Sequence, residues 1–310
     1  MNKEKLRRRI FSSISWFTRL LHQLSQKPLI RGIFSALAIF FCGWYLYQNR
    51  ASFTLVINMD QIHIPLILIS TFLVLVIEFS GSLVWYSILQ GLGISLPFFV
   101  AVRAHLYSNI AKYLPGMIWQ YVYKYATLDP EQSGCSTPAK AILVEFGLII
   151  VTGLINALIV FPKILSVFWL PWLAWGLFLL VLAGPFVLKL KIKQSMTFFP
   201  FFFSLAILLL FINWNVLGVS LWLTSAAIHP LLTKNISVYT FSFTTSVVGG
   251  ILVLPIPQGI GIREGLMVFL LKMLAQTPDA LVLATLSRLQ IILGELLAAG
   301  ATWITARFWR

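Results

Sequence analysis

The sequence predicts an all-α polytopic membrane protein, and three observations lead to this fold class. Of its 310 residues, 59% are hydrophobic and only 10% are charged, which is incompatible with a soluble globule. The mean hydropathy is positive. Apolar runs that reach the roughly 20 residues needed to cross a bilayer recur along the chain. We expect about six full transmembrane helices, at residues 31–48, 64–89, 138–161, 169–188, 200–228 and 279–306.

Two further apolar stretches, 97–127 and 238–275, are not single spans because proline and glycine interrupt each of them. Proline removes a backbone donor and glycine relaxes the backbone. Hydrocarbon tolerates irregular backbone only where protein or a water-filled cavity surrounds it. We therefore expect two re-entrant helical hairpins that line a cavity. The residues at the two breaks are Pro115, Gly116, Pro255, Pro257, Gly259 and Gly261.

The distribution of positive charge gives the expected orientation, because lysine and arginine accumulate in cytoplasmic loops. If each broken stretch is a hairpin, most loop cations fall on one side, including Lys124, Lys140 and the cluster at 189–193. Both termini are then cytoplasmic, and the two hairpins enter from opposite faces. Such a layout is typical of transporters built from inverted repeats, whose binding site lies at the membrane midplane.

The first 30 residues differ in composition from the rest of the chain. Eight of the 23 Lys and Arg residues lie before residue 32, and apolar residues there recur every three or four positions. We interpret 1–30 as a cytoplasmic amphipathic helix and 31–310 as the transmembrane domain; an organelle transit peptide is the alternative for the first segment. Beside a bilayer, the net charge of +14 indicates contact with anionic headgroups rather than nucleic acid.

Charged and polar residues lie beside both breaks. Asn109, Lys112 and Tyr113 precede the first break, and Arg263 and Glu264 follow the second. Ionisable residues at this depth are functional candidates by default, and the N-terminus of a helix favours an anion. If the two hairpin tips meet, these cations and helix N-termini form an anion site. In a bilayer the abundant anion is a phosphate headgroup, so we predict that these residues bind substrate.

The last span carries two more charges, Arg288 and Glu295, which lie seven residues apart on nearly the same helical face. A structural pairing that hides both charges from lipid and a role in substrate binding by Arg288 both stay open. Arg263 and Glu264 are adjacent and point in different directions. One of them is therefore free to bind cargo while the other is held by Arg288 or Lys112.

Three acids are candidate coupling carboxylates: Glu78 in the second span, Glu145 in the third and Glu295 in the last. The alternative for Glu78 and Glu145 is that a buried carboxyl simply stays neutral. Arg103 and His105 lie early in the first hairpin. Contact with headgroups at the cytoplasmic interface explains both of them.

Two motifs taken together resemble the signature regions of a known family. They are N-x-x-K-Y-L-P-G-x-x-W from Asn109 to Trp119 and P-x-P-x-G-x-G-x-R-E from Pro255 to Glu264. They look like the lysylphosphatidylglycerol synthetase transmembrane family, also called flippase-like membrane proteins, and the order and spacing of spans are similar after residue 30. The resemblance implies a lipid-translocating fold with paired re-entrant helices. Without an aminoacyltransferase domain before the end at Arg310, the chain resembles a stand-alone member that does not make lysyl-lipid.

The expected function is the translocation, or flipping, of an anionic phospholipid or a polyprenyl-phosphate-linked lipid across the cytoplasmic (inner) membrane. The alternatives are a lipid-carrier-binding partner of a glycosyltransferase that transports nothing and, third, an enzyme that acts on a headgroup. No catalytic motif occurs, so we expect no enzymatic activity, and we expect no cofactor. Cys42 and Cys135 provide no metal set. The expected partners are a membrane lipid with an anionic headgroup and a glycosyltransferase or lipid-modifying enzyme, but no nucleic acid.

Overall fold

The computed structural model describes residues 47, 62–113, 119–128, 136–161, 169–191, 199–228, 235–252, 261–272 and 277–308. These residues form helices and short connections, with no strand in the described ranges. In chain order the helices are α1 (Ile64–Gly91), α2 (Phe98–Ala111), α3 (Trp119–Thr127), α4 (Ser136–Val160), α5 (Leu170–Lys191), α6 (Pro200–Ile228), α7 (Ile236–Leu252), α8 (Ile262–Leu271) and α9 (Thr277–Phe308).

Five of these helices, α1, α4, α5, α6 and α9, are long and apolar enough to cross a membrane. They coincide with five of the six predicted spans, so the prediction of an α-helical, multi-pass membrane protein is confirmed at this level. The sixth predicted span, 31–48, lies outside the described residues apart from Tyr47. The predicted amphipathic helix at 1–30 also lies outside them.

Helices α1, α6 and α9 pack against one another and form the centre of the bundle. Between α1 and α6 the hydroxyl of Ser70 donates to the carbonyl of Ser220 at 2.8 Å and lies 2.8 Å from the hydroxyl of Thr224. Small polar residues allow close approach of membrane helices and hydrogen-bond across the contact. Between α1 and α9, a side chain at Gly294 would meet Val74 at 2.8 Å. Small residues therefore determine how closely the central helices approach.

Helix α7 packs against α6 at an even closer approach. A Cβ atom added at Gly218 would lie 2.1 Å from the hydroxyl of Thr240 and 2.5 Å from its Cα. No side chain fits in this space without moving the backbone of α7. The position of α7 relative to the central helices thus depends on a glycine at residue 218.

The two stretches predicted as hairpins contain four short helices, α2 and α3 in the first and α7 and α8 in the second. At 1.5 Å per residue they extend from about 14 Å for α3 to about 26 Å for α7, less than the roughly 30 Å of the hydrocarbon core. Helix α2 packs on α3, and α7 packs on α8. Of the predicted break residues, only Gly261 is described. The others, Pro115, Gly116, Pro255, Pro257 and Gly259, lie outside the described residues.

Candidate functional site

A cavity of about 590 Å³ lies among α1, α2, α3, α4, α6 and α7 and reaches the first turn of α8. Its volume is in the range of ligand-binding pockets, roughly 300–1,000 Å³. Most of the wall is apolar, as expected inside a bundle of membrane helices. The polar and charged residues that line it are Glu78, His105, Asn109, Lys112, Gln120, Lys124, Glu145, Asn213 and Arg263.

Both predicted hairpins contribute cations to this cavity. Lys112 follows the last residue of α2, Lys124 lies in α3, and Arg263 lies in the first turn of α8. The structure therefore brings Lys112 and Arg263, 151 positions apart in the sequence, to the wall of the same space. Asn109, one turn before Lys112 on α2, lines it as well.

On one side of the cavity, Lys124 and Glu145 form a buried ion pair. The ammonium of Lys124 donates to both carboxylate oxygens of Glu145 at 2.6 Å and lies 4.5 Å from the centre of the Trp85 ring. The Nδ1 atom of His105 is 3.6 Å from the same carboxylate. A lysine held so tightly and sheltered by an aromatic face is a fixed part of the wall.

This cluster corrects two expectations. Lys124 was expected among the cytoplasmic loop charges, and His105 at the headgroup interface; both are buried inside the bundle. The reason is the same for both residues, because Glu145 on α4 supplies a carboxylate partner that makes burial of each side chain tolerable.

A second buried ion pair joins α9 to the end of α2. Lys112 donates a hydrogen bond to Glu295, a residue only 1% exposed. The ammonium of Lys112 also lies 5.5 Å from the centre of the Tyr113 ring. Glu295 and Tyr113 therefore both contact Lys112, which lines the cavity. Neither of the two lines the cavity itself in the described structure.

The third ion pair joins α8 to α9. The Nη1 atom of Arg288 lies 3.4 Å from Oε1 of Glu264, and both side chains are buried. The other carboxylate oxygen of Glu264 accepts a hydrogen bond from the backbone N–H of Gly261 at 2.7 Å. Gly261 has φ of +84°, a conformation that favours glycine, and α8 begins at the next residue. The carboxylate therefore caps its own helix. It occupies part of the helix N-terminus that was predicted to bind a headgroup.

Two charges of the cavity wall have no such partner within the described ranges. The carboxylate of Glu78 accepts a hydrogen bond from the Asn109 amide at 2.8 Å, but it has no ion pair with any described residue. Arg263 lies 5.1 Å from the centre of the Phe243 ring and likewise forms no ion pair within 4 Å with a described carboxylate. We call Glu78 and Arg263 the unpaired couple.

The charge balance of the described bundle is thus simple. Four glutamates are buried, and four lysine or arginine side chains lie beside them or in the wall of the same cavity. Three lysine or arginine pairs with glutamate account for six of these eight charges. The two that remain, a carboxylate and a guanidinium, both line the cavity. The paired charges are Lys112, Lys124, Arg288, Glu145, Glu264 and Glu295.

Sequence reasoning missed two lining residues for which a signal existed. Lys124 lies inside the predicted hairpin 97–127, in a run from Trp119 to Thr127 that proline and glycine do not interrupt. Asn213 is a polar residue in the middle of an apolar span and is buried in α6. Polar residues at such positions are candidates for a functional site.

No protein-family model matches the chain, and no curated protein matches it. The resemblance to the lysylphosphatidylglycerol synthetase transmembrane family stays a prediction from its two motifs.

Proposed function

We propose that this protein translocates a lipid with an anionic phosphate headgroup across a cytoplasmic membrane, through the cavity described above. The observation that carries this proposal is Arg263. Its guanidinium lines a cavity of about 590 Å³ inside an apolar helix bundle and has no carboxylate of a described residue within 4 Å. A cation in that position is poised to receive an anion that enters the cavity.

A phosphate is the anion that fits this site best. Withdrawing an unpaired charge from water is costly, so a cation inside the bundle is stabilised by any anion that reaches it. The planar guanidinium binds a phosphate through two parallel hydrogen bonds. Two further cations, Lys112 and Lys124, line the same cavity. Each of them is paired with a glutamate, so Arg263 remains the cation available to the phosphate.

A lipid needs an outlet for its tails, and in this proposal the outlet lies beside Leu143. This residue of α4 lines the cavity and is 68% exposed. A headgroup can therefore occupy the polar interior while its hydrocarbon tails extend past Leu143 into the bilayer. This arrangement favours a lipid over a water-soluble phosphate compound as the cargo.

The short helices support the re-entrant part of the proposal. We interpret α2 with α3, and α7 with α8, as the arms of two hairpins that enter from opposite faces and form an inverted repeat. Each arm is shorter than the hydrocarbon core and packs on its neighbour. Transport folds of this type place the substrate between the broken helices near the midplane. In this layout both termini of the transmembrane domain are cytoplasmic.

One observation favours a second candidate, a membrane protein that binds a lipid carrier and presents it to a glycosyltransferase. The three ion pairs tie each hairpin to a long helix, α2 and α8 to α9 and α3 to α4. Ion pairs of this kind between helices resist the rearrangement that moving a headgroup requires. A rigid binding site suits presentation of a lipid better than its translocation.

Replacing Arg263 tests the proposal. Purified protein is reconstituted into phosphatidylcholine vesicles that contain a trace of acyl-labelled fluorescent phospholipid, and a membrane-impermeant reductant bleaches the outer leaflet. We expect the wild type to expose inner-leaflet label and Arg263→Gln to slow this exposure by about tenfold or more, because a charge-assisted contact to phosphate is lost.

The matched control is Lys272→Gln, which removes a cation from the exposed residue that follows α8. It is expected to keep the wild-type rate. Equal rates for Arg263→Gln and the wild type would contradict the role of Arg263. Tight lipid binding without movement by the wild type would favour the carrier-binding candidate instead.

A further inference from the structure

The unpaired couple combines a carboxyl group with a guanidinium. A bound phosphate alone accounts for Arg263 but not for Glu78. A cavity that binds only an anion does not require an acidic residue in its wall that forms no ion pair. The described bundle pairs its other buried glutamates with lysine or arginine. Glu78 is also buried, at 9% exposed, but it lines the cavity with a hydrogen bond from the Asn109 amide and no ion pair to a described residue.

The hydrogen bond from Asn109 fixes the direction of the Glu78 carboxyl group. The amide donates to Oε2, and the described residues provide no hydrogen bond to Oε1. Asn109 is itself positioned by the neighbouring helical turn, where its amide lies 3.3 Å from Nε2 of His105. One oxygen of Glu78 is thus held in place, while the other can accept a hydrogen bond from a ligand.

From this arrangement we infer that the cargo headgroup is zwitterionic and carries a primary ammonium beside its phosphate. The phosphate is bound by Arg263, and the ammonium donates to Glu78. The inference rests on the proposed function and narrows its substrate from anionic headgroups in general to aminophospholipids of the phosphatidylethanolamine type. Binding such a headgroup satisfies both members of the unpaired couple at once.

The energetic reason is the cost of isolated charges in an apolar bundle. A purely anionic headgroup pairs with Arg263 and leaves Glu78 without a partner, while adding negative charge to the same cavity. A zwitterion provides a countercharge for each residue, so the filled cavity has every charge paired. A primary ammonium is preferred to a quaternary one because it has N–H donors for the carboxylate, which a trimethylammonium lacks.

The test uses the full chain in phosphatidylcholine vesicles with three acyl-labelled probes that differ only in headgroup: phosphatidylethanolamine, phosphatidylglycerol and phosphatidylcholine. We expect the first probe to cross fastest. In Glu78→Gln, which keeps the size and the hydrogen bond to Asn109, we expect the phosphatidylethanolamine rate to fall by about tenfold or more. The phosphatidylglycerol rate is expected not to fall and to rise if anything, because the variant removes an acidic group from the cavity that this anionic headgroup enters.

Asp279→Asn in the first turn of α9 is the charge-matched control, because Asp279 does not line the cavity in the described structure. Mass spectrometry of the purified protein with the same lipids measures binding separately from movement. Binding of phosphatidylethanolamine that depends on Glu78, in a protein that moves no lipid, would support the headgroup assignment and overturn translocation.

Equal transport of phosphatidylglycerol and phosphatidylethanolamine by the wild type would overturn the zwitterion inference while leaving the proposed translocation intact. An equal fall in the transport rates of both probes in Glu78→Gln would also overturn the inference. Glu78 would then support the structure rather than distinguish between headgroups. If Glu78 is merely a neutral buried group, Glu78→Gln leaves every rate and every binding measurement unchanged, and the inference fails.

Discussion

Lys124→Met is expected to lower the free energy of unfolding by about 3–5 kcal/mol, the usual cost of breaking a buried ion pair from one side. The substitution leaves the Glu145 carboxylate inside the bundle without the ammonium that now contacts both of its oxygens. The ring of Trp85 also loses the cation over its face. His105, at 3.6 Å, is the only other described group that interacts with this carboxylate as an ion pair.

Three variants separate the ion pair from simple loss of lysine packing. Lys124→Met combined with Glu145→Met is expected to recover most of the lost stability, because two apolar side chains replace two charges. Lys140→Met removes an exposed lysine near the start of α4 and is expected to change little. Denaturant unfolding of the detergent-solubilised protein, followed by circular dichroism, measures all three. The explanation fails if the double variant is no more stable than Lys124→Met, or if Lys124→Met matches Lys140→Met.

Gly218→Ala is expected to destabilise the protein by about 3 kcal/mol, the upper part of the range for overpacked cores. The added methyl group would lie 2.5 Å from the Cα atom of Thr240, so a change of rotamer cannot relieve the contact. Either α6 or α7 must move. Because Val247, Gly250 and Ile251 of α7 line the cavity, this movement is expected to slow the proposed lipid transport as well.

Gly147→Ala makes the same chemical change in α4, where a methyl group meets nothing within 4 Å. It is expected to be neutral or to stabilise the helix by about 0.5–1 kcal/mol, since alanine is the better helix former. Adding Thr240→Ala to Gly218→Ala removes the hydroxyl contact but not the backbone contact, so only partial recovery is expected. Thermal unfolding monitored by tryptophan fluorescence compares these variants. Gly218→Ala with the stability of Gly147→Ala would show that α6 and α7 are not held at this distance.

The long helices were predictable because length and hydrophobicity are continuous signals along the chain. The predicted spans 200–228 and 279–306 agree closely with α6 and α9. Arg288 and Glu295 did not obscure the last span, since two charges among many apolar residues do not interrupt a helical pattern. The short helices on each side of the two breaks were also predictable, because proline and glycine mark where a helix stops.

The partners of the buried charges were predictable only in part, since Arg288 was one of two cations expected to hold a member of the Arg263 and Glu264 pair. Glu264 contacts Arg288, while Glu295, on the same helix as Arg288, contacts Lys112. Which of these pairs forms depends on how the helices rotate and cross, and the sequence of one helix does not contain that information. The contact of Gly218 with Thr240 has the same origin. Arg263 and Lys112 were predictable as candidates because each lies beside a break.

The exposed Leu143 in the cavity lining has a consequence for the proposed translocation. If lipid tails stay in the surrounding hydrocarbon beside this residue during the proposed passage, lengthening them adds nothing to the barrier. A short diacyl lipid and a long isoprenoid lipid with identical polar ends should therefore pass at equal rates. The protein would then select lipids by the chemistry of the polar end alone and would not distinguish the length or type of their tails.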